Sequence, residues 1–201
     1  MARIPLYLPW DETERLFSAV DMWVETGPGV AAREFQDGLV IELIYGSGLR
    51  VSELCALNFE SVEESAERGW ELVINGEDRV AVRRVPVTQR AAMMLHAWLA
   101  VPSQAQHYDD EYLKARDSTA LFVNEKGNRV TRFSLNHMWH RRLDELRLPY
   151  RGGLGILRAT CAVHMLAGGA PVWAVAQMLG IPEEEAARYA NLNLSVVGFE
   201  A

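Results

Sequence analysis

Cysteine is scarce: Cys55 and Cys161 are the only two in 201 residues. That excludes a disulfide framework and a cysteine-built zinc site, and points to a reducing compartment, the cytoplasm. Long apolar runs are missing, so no membrane span is expected. The opening "MARIPLYLPW" has no long apolar segment behind a basic one, which argues against a secretory signal. No repeat period and no low-complexity linker divides the chain. Excess positive charge is absent too. The net charge is −7, and a nucleic-acid binder ordinarily carries a basic footprint, although one local groove is enough. Lysine is rare: Lys114 and Lys126 stand against 18 arginines. Arginine grips phosphate with a planar fork but does not give up its proton at neutral pH.

What is present is apolar residue, 49% of the chain, enough for a core. "WDETERLFSAVDMWVE" reads as an amphipathic helix capped by Asp11, with Glu14 three residues on. "REFQDGLVIELIY" reads as a buried helix stopped by Gly46 and Gly48, and "VSELCAL" restarts at once. "WELVIN" and "RVAVRRVPV", joined by "GED", predict a β-hairpin. "TQRAAMMLHAWLAV" predicts a helix capped by Thr88. "ALFVNEKGNRVT" predicts a short strand and a tight turn, and "FSLNHMWHRRLDELR" an amphipathic helix. Three short helices follow in "ILRATCAVHMLAGG", "VWAVAQMLG" and "PEEEAARYANL", punctuated by glycine and proline. The fold class is α+β, mostly helical, with a small antiparallel sheet.

Several motifs resemble chemistry and fail on context. "RGGLGIL" is glycine-rich but has no preceding strand and no Gly-Lys-Ser/Thr, so it reads as a loop. His137 and His140 share a helix face without the further ligands a metal needs; that face, with Arg141 and Arg142, is open to nucleic-acid backbone instead. The glutamates of "PEEEAARY" complement a helix dipole. Arg50 and Arg158 are odder, since each stands among apolar neighbours. A buried guanidinium is costly without an anion. Glu53 or capping carbonyls would satisfy Arg50, and phosphate would satisfy both.

Taken in order, three stretches resemble the tyrosine recombinases, the phage integrase family. "LIYGSGLRVSELCALNFESV" is similar to the box that supplies the first catalytic arginine. "ILRATCAVHMLAGGAPVWAVAQMLG" is similar to the second box, and "ARYANL" stands at the nucleophilic tyrosine. The resemblance runs from 10 to 194. It implies a catalytic-type domain over 1–201 without the N-terminal module that most members carry. It assigns Arg50 and Arg158 as a phosphate clamp and Tyr189 as the nucleophile, one residue closer to Leu179-Gly180 than usual. The chemistry implied is cleavage and rejoining of DNA through a 3′-phosphotyrosyl link, with no metal or cofactor. DNA is the implied partner, contacted by Arg79, Arg83, Arg84, Arg141 and Arg142, together with another recombinase subunit or further copies of the chain. The segment 190–201 would pack on that neighbour.

The resemblance has gaps. Gly155, Ala159 and Ile181 stand where the family carries histidines or their substitutes, and the hairpin after the first box has no lysine. His164 matches a histidine read as structural. The expectation is therefore an impaired enzyme, or else an inactive recombinase-fold module for DNA binding or assembly. Whether a lysine such as Lys126 reaches the site from another loop is left open by the sequence.

Overall fold

A computed structural model describes residues 7–28, 31–67, 69–75, 82–104, 119–124, 126–150 and 152–197. Helices α1 (Trp10–Val24), α2 (Ala32–Ser47) and α3 (Val51–Ala56) are followed by a 3₁₀ turn at Phe59–Ser61. Strands β1 (Val62–Ser65), β2 (Gly69–Ile74) and β3 (Arg83–Pro86) come next. Helices α4 (Gln89–Gln104), α5 (Arg132–Glu145), α6 (Ile156–Ala167), α7 (Val172–Leu179) and α8 (Glu183–Val197) complete the order. This is the mostly helical α+β architecture expected. No helix among the described residues is long and apolar enough to cross a membrane.

Helix α2 is the axis of the domain. Leu39, Val40, Ile41, Leu43 and Ile44 have no exposed surface, and the helix packs on α1, α4 and α6. A helix whose apolar residues run nearly all the way round has to sit inside, and its few polar side chains, Gln36, Asp37 and Glu42, need partners there. It ends at Gly48, whose φ of 61° is the left-handed cap that glycine adopts without strain. Gly46 lies within the helix instead of ending it. Its role is clearance, since a Cβ there would come 2.9 Å from Thr88 Cγ2. Leu49 is fully buried, and Arg50 follows in extended conformation as the N-cap residue of α3. The chain thus leaves one rigid helix and enters another within three residues.

The sheet is antiparallel in the order β1-β2-β3. The hairpin is present, with Ile74 opposite Arg83. Its paired part on the second strand begins at Arg83, four residues later than "RVAVRRVPV" suggests; residues 76–81 lie outside the described residues. Strand β1, "VEES", was not expected, because a short acidic edge strand carries little β signal.

Other boundaries also differ. Helix α1 begins at Trp10 after Pro9, which leaves Asp11 in the first turn as a dipole partner rather than a cap. The segment "ALFVNEKGNRVT" forms isolated bridges, Asn58 to Ala120 and Val123 to Arg129, not a strand of the sheet. The side-chain amide of Gln36 replaces a neighbouring strand there: it donates to the Val123 carbonyl at 2.9 Å and accepts from the Val123 N–H at 3.0 Å. Helix α8 is not short; it runs for 15 residues, so part of the expected tail is helix through Val197.

The start of the chain is fastened to α6. The Leu8 N–H donates to Thr160 Oγ1 at 2.9 Å, and the Trp10 ring lies on the His164 imidazole at 3.7 Å, nearly parallel. Tyr45 Oη meets His164 Nδ1 at 3.1 Å. Burial holds the His164 imidazole below its ordinary value of 6.5, so on acidification the unfolded chain takes up the proton first. The contribution of His164 is complete above that value and is lost as pH falls below it. Urea unfolding at pH 7.5 and 5.5 tests this: the wild type loses midpoint over the interval, and His164→Gln loses less.

Candidate active site

Four elements deliver charged side chains to one place. The α2–α3 turn brings Arg50, α3 brings Glu53, β3 brings Arg83 and α6 brings Arg158. Glu53 Oε2 accepts the Arg50 backbone N–H at 2.7 Å, and Oε1 accepts Arg50 Nη1 at 3.0 Å. Arg83 grips the same carboxylate from the other side, Nη1 to Oε1 at 2.5 Å and Nη2 to Oε2 at 2.9 Å. Arg158 Nη1 stands 4.0 Å from Glu53 Oε2. The expected partnership of Arg50 with Glu53 is thus present, inside a larger cluster of three guanidinium groups around one carboxylate.

The arginines also clasp backbone. Arg158 donates from Nη1 to the Gly48 carbonyl at 2.5 Å and from Nη2 to the Leu179 carbonyl at 2.8 Å. Arg50 Nη2 reaches the next carbonyl, Gly180, at 3.4 Å. The end of α2 and the end of α7 are therefore stapled together by the two arginines. Glycine makes that approach feasible. A Cβ on Gly48 would come 2.4 Å from Leu179 Cδ2, and one on Gly180, φ 63°, would meet Arg83 at 3.1 Å.

Burial would raise the Glu53 carboxyl, but hydrogen bonds from Arg83 and the Arg50 backbone, with the charges of both, hold it below the usual glutamate range. Arg158 is shifted down, first by burial and then by repulsion from Arg50, with Glu53 opposing. It remains a cation at neutral pH. Three positive charges against one leave an excess that suits an anion. The side chain of Arg50 is 46% exposed, so its outer donors face solvent, while that of Arg158 is 12% exposed.

Tyr189 is on α8, which packs against α6 and α7. Its half-buried ring lies against the small cluster of Ala162, Val175 and Leu179. Burial raises its phenol above 10.0, Glu185 adds to the rise, and Arg158 and Arg50 pull the other way. The charges of Arg158 and Arg50 thus favour its ionised form, against the burial that opposes it.

The remaining expected residues are dispersed. Arg83 points inward at Glu53. Arg84, next on β3, faces outward and pairs with Glu63 at 2.5 Å. Arg79 lies outside the described residues. Arg142 is a correction. It is 5% exposed, its Nη2 is 2.8 Å from Asp37 Oδ2, and its guanidinium lies 4.4 Å over the Trp23 ring. It neutralises a buried carboxylate, so it does not reach DNA backbone. Arg141 shares Asp37 at 2.6 Å but keeps part of its surface. With Lys126 and the exposed Phe133 it borders a cleft of about 390 Å³ near the start of α2. Arg50 lies beyond the opposite end of that helix, roughly 20 Å away at 1.5 Å per residue. Lys126 is therefore not a member of the arginine site. Gly155, Ala159 and Ile181 place no titratable side chain beside it. Among the described residues no three His, Cys, Asp or Glu side chains gather as a metal-binding group.

The sequence model of the phage integrase family matches residues 7–194. The chain belongs to that family. The tyrosine recombinase XerC of Mycobacterium tuberculosis (strain ATCC 25177 / H37Ra) is 32% identical over 178 residues, covering 88% of this chain and 55% of that protein. XerC of Erythrobacter litoralis is 33% identical over 182 residues, 88% of this chain and 52% of the relative. The chain thus spans about half the length of these curated relatives. In three dimensions it is similar to the XerA recombinase, with a TM-score of 0.75, 20% identity, and coverage of 98% of this chain and 64% of that one. XerH, solved in a post-cleavage complex with a palindromic difH substrate, gives 0.74 at 20% identity, covering 97% and 52%. The catalytic domain of bacteriophage HP1 integrase gives 0.59 at 18% identity, covering 96% and 94%. These likenesses concern the fold, which is that of a tyrosine recombinase catalytic domain.

Within this integrase-family fold, the sequence signalled Arg50, Arg158 and Tyr189 through their motifs. Arg83 was read as a DNA contact, and its inward pairing had no local signal, because it lies 30 residues from Glu53. Gly48 is the steric key of the site. Gly48→Ala forces a left-handed alanine and a clash with Leu179, which is expected to cost at least about 2 kcal/mol. Thermal denaturation monitored by circular dichroism checks it, with a fall of roughly 4–8 °C expected.

Proposed function

We propose that this chain is the catalytic part of a site-specific DNA recombinase. In the reaction, Tyr189 Oη attacks a phosphodiester phosphorus and loses its proton. The bond from phosphorus to the 5′ oxygen breaks, that oxygen takes up a proton, and a 3′-phosphotyrosyl link remains. Attack by a 5′-hydroxyl of another strand reverses the step. The energy of the diester is kept in the link, so rejoining needs no nucleotide. Arg50 and Arg158 stabilise the charge that builds on the non-bridging oxygens, the kind of electrostatic help that usually carries the largest share. The convergence of these two arginines on Glu53, with the Tyr189 helix packed beside them, carries this reading. The XerC relatives and the XerH–difH complex support DNA as the substrate.

Binding to the duplex draws on the exposed Arg84 and the partly exposed Arg141, with Arg79 added from the hairpin. The reading includes cooperation with a second recombinase subunit, another copy or a relative, onto which residues 190–201 pack. It also includes a slow chemical step. Gly155, Ala159 and Ile181 offer no proton donor or acceptor, and general acid–base help is worth about 10²–10⁴-fold. The same three positions favour a second reading, a binding or assembly module that no longer cuts.

A nicked suicide duplex that traps the covalent intermediate separates the two. Strand cleavage gives a protein–DNA adduct that survives denaturing electrophoresis, is lost in Tyr189→Phe, and falls in Arg50→Ala with folding intact by circular dichroism. An adduct formed equally by Tyr189→Phe, or none at all, removes the catalytic reading. Salt-sensitive DNA binding without an adduct then leaves the module. Because the Tyr189 phenol sits above 10.0, the adduct rate should climb with pH and show no plateau below that value.

A further inference from the structure

Arg83 is the member of the cluster without an assigned task. Its strand begins at that residue, and the side chain crosses to α3, so that the sheet touches the site through one guanidinium. Both terminal nitrogens are committed to the two oxygens of Glu53. Its Nε is buried with no hydrogen-bond partner among the described residues. The side chain is 18% exposed and sits under Gly180, where a Cβ would come 3.3 Å from its Cζ. The group is therefore largely shielded from solvent. Nor does it suit proton transfer, since a guanidinium keeps its proton at neutral pH.

What it does is set a carboxylate. Glu53 is held by Arg50 through one backbone and one side-chain bond, and that side chain is substantially exposed. Held by Arg50 alone, the carboxylate would be free to turn with it. Two parallel N–H···O bonds from a planar fork remove that freedom, because they fix the plane as well as the position of the carboxylate. Arg50 Nη1 stands 3.0 Å from Oε1 of that carboxylate and Arg158 Nη1 4.0 Å from its Oε2.

We propose that Arg83 is a positioning residue. By taking both oxygens of Glu53 it fixes the surface against which the two clamp arginines align, and so ties the geometry of the anion site to the β2–β3 hairpin. This deepens the strand-cleavage reading and rests on it for one of the two measurements below.

The first measurement does not require chemistry. In protein labelled with ¹⁵N in the arginine guanidinium groups, the Nη–H signals of Arg158 should be resolved, since both nitrogens are bonded to backbone carbonyls. Arg83→Lys keeps the charge but loses the fork, and Arg83→Gln keeps one donor. Both should broaden or shift those signals while the backbone amide spectrum stays dispersed. Arg15→Lys, on the far surface of α1, is the control and should leave them unchanged. Unchanged Arg158 signals in both Arg83 variants overturn the proposal. Loss of folding in both also overturns it, because Arg83 would then serve the fold and not the clamp.

The second measurement is adduct formation on the nicked duplex. A misaligned clamp should slow it by about 10²-fold in Arg83→Lys, with DNA affinity within threefold of wild type, since misplacement of order 1 Å has that effect on rate. An adduct rate within threefold of wild type counts against positioning. Absence of an adduct in the wild type itself refutes the cleavage reading, and the guanidinium spectra then decide the role of Arg83 alone.

Discussion

A carboxylate whose charge burial disfavours, set among guanidinium groups that would otherwise repel, is the constraint around which this domain is arranged. Glu53 without its arginines is a buried anion, and the three arginines without Glu53 are a knot of like charge. Either half alone is costly: removing one partner of a buried ion pair typically costs about 3–5 kcal/mol, and much less where, as at Arg50, the side chain is exposed. The segments that carry them must therefore arrive together: the turn after α2, the first turn of α3, the start of β3 and the first turn of α6. The apolar packing of α2 holds three of these in place, since α2 touches α3 and α6 directly and ends in the turn that presents Arg50.

Much of this was readable from residues in order, and the reasons are local. Glycine at 48, 168 and 180, proline at 171 and 182 and the Thr88 cap, which accepts the Ala91 N–H, mark where helices stop and start. The all-apolar face of "GLVIELI" marks the helix that has to be inside. What was not readable depends on pairs far apart in sequence. Arg142 reads as one more surface cation until Asp37, 105 residues earlier, is placed beside it. Arg83 reads as a groove contact until the sheet turns it toward α3. Strand β1 has almost no apolar signal, and its pairing is imposed by β2. Arg50 and Arg158 were legible as a pair only through a motif, because composition alone makes each of them an oddity.

The same pairings bear on charge. A chain with 18 arginines looks well supplied for a polyanion in spite of its net charge of −7. Arg83, Arg90 and Arg142 are committed to Glu53, Glu42 and Asp37. Arg129 donates to the Leu57 carbonyl and to Asn58 Oδ1, which fastens the turn after α3. These cations stabilise the fold at the expense of outward field. The cations left toward solvent are a smaller set, with Arg50 and Arg84 among them.

Arg158 also bears on inheritance. Its bonds run to the main-chain carbonyls of residues 48 and 179, groups that no side-chain substitution removes. A lineage that stopped cutting DNA would still fold better with that arginine than without it. Purifying selection on folding is enough to keep it, long after selection on turnover has lapsed. Retention of an arginine pair in such a domain is thus a record of architecture first. Positions that staple nothing are under no such constraint: at 155 a Cβ would meet open space, and a change of residue there leaves the scaffold intact.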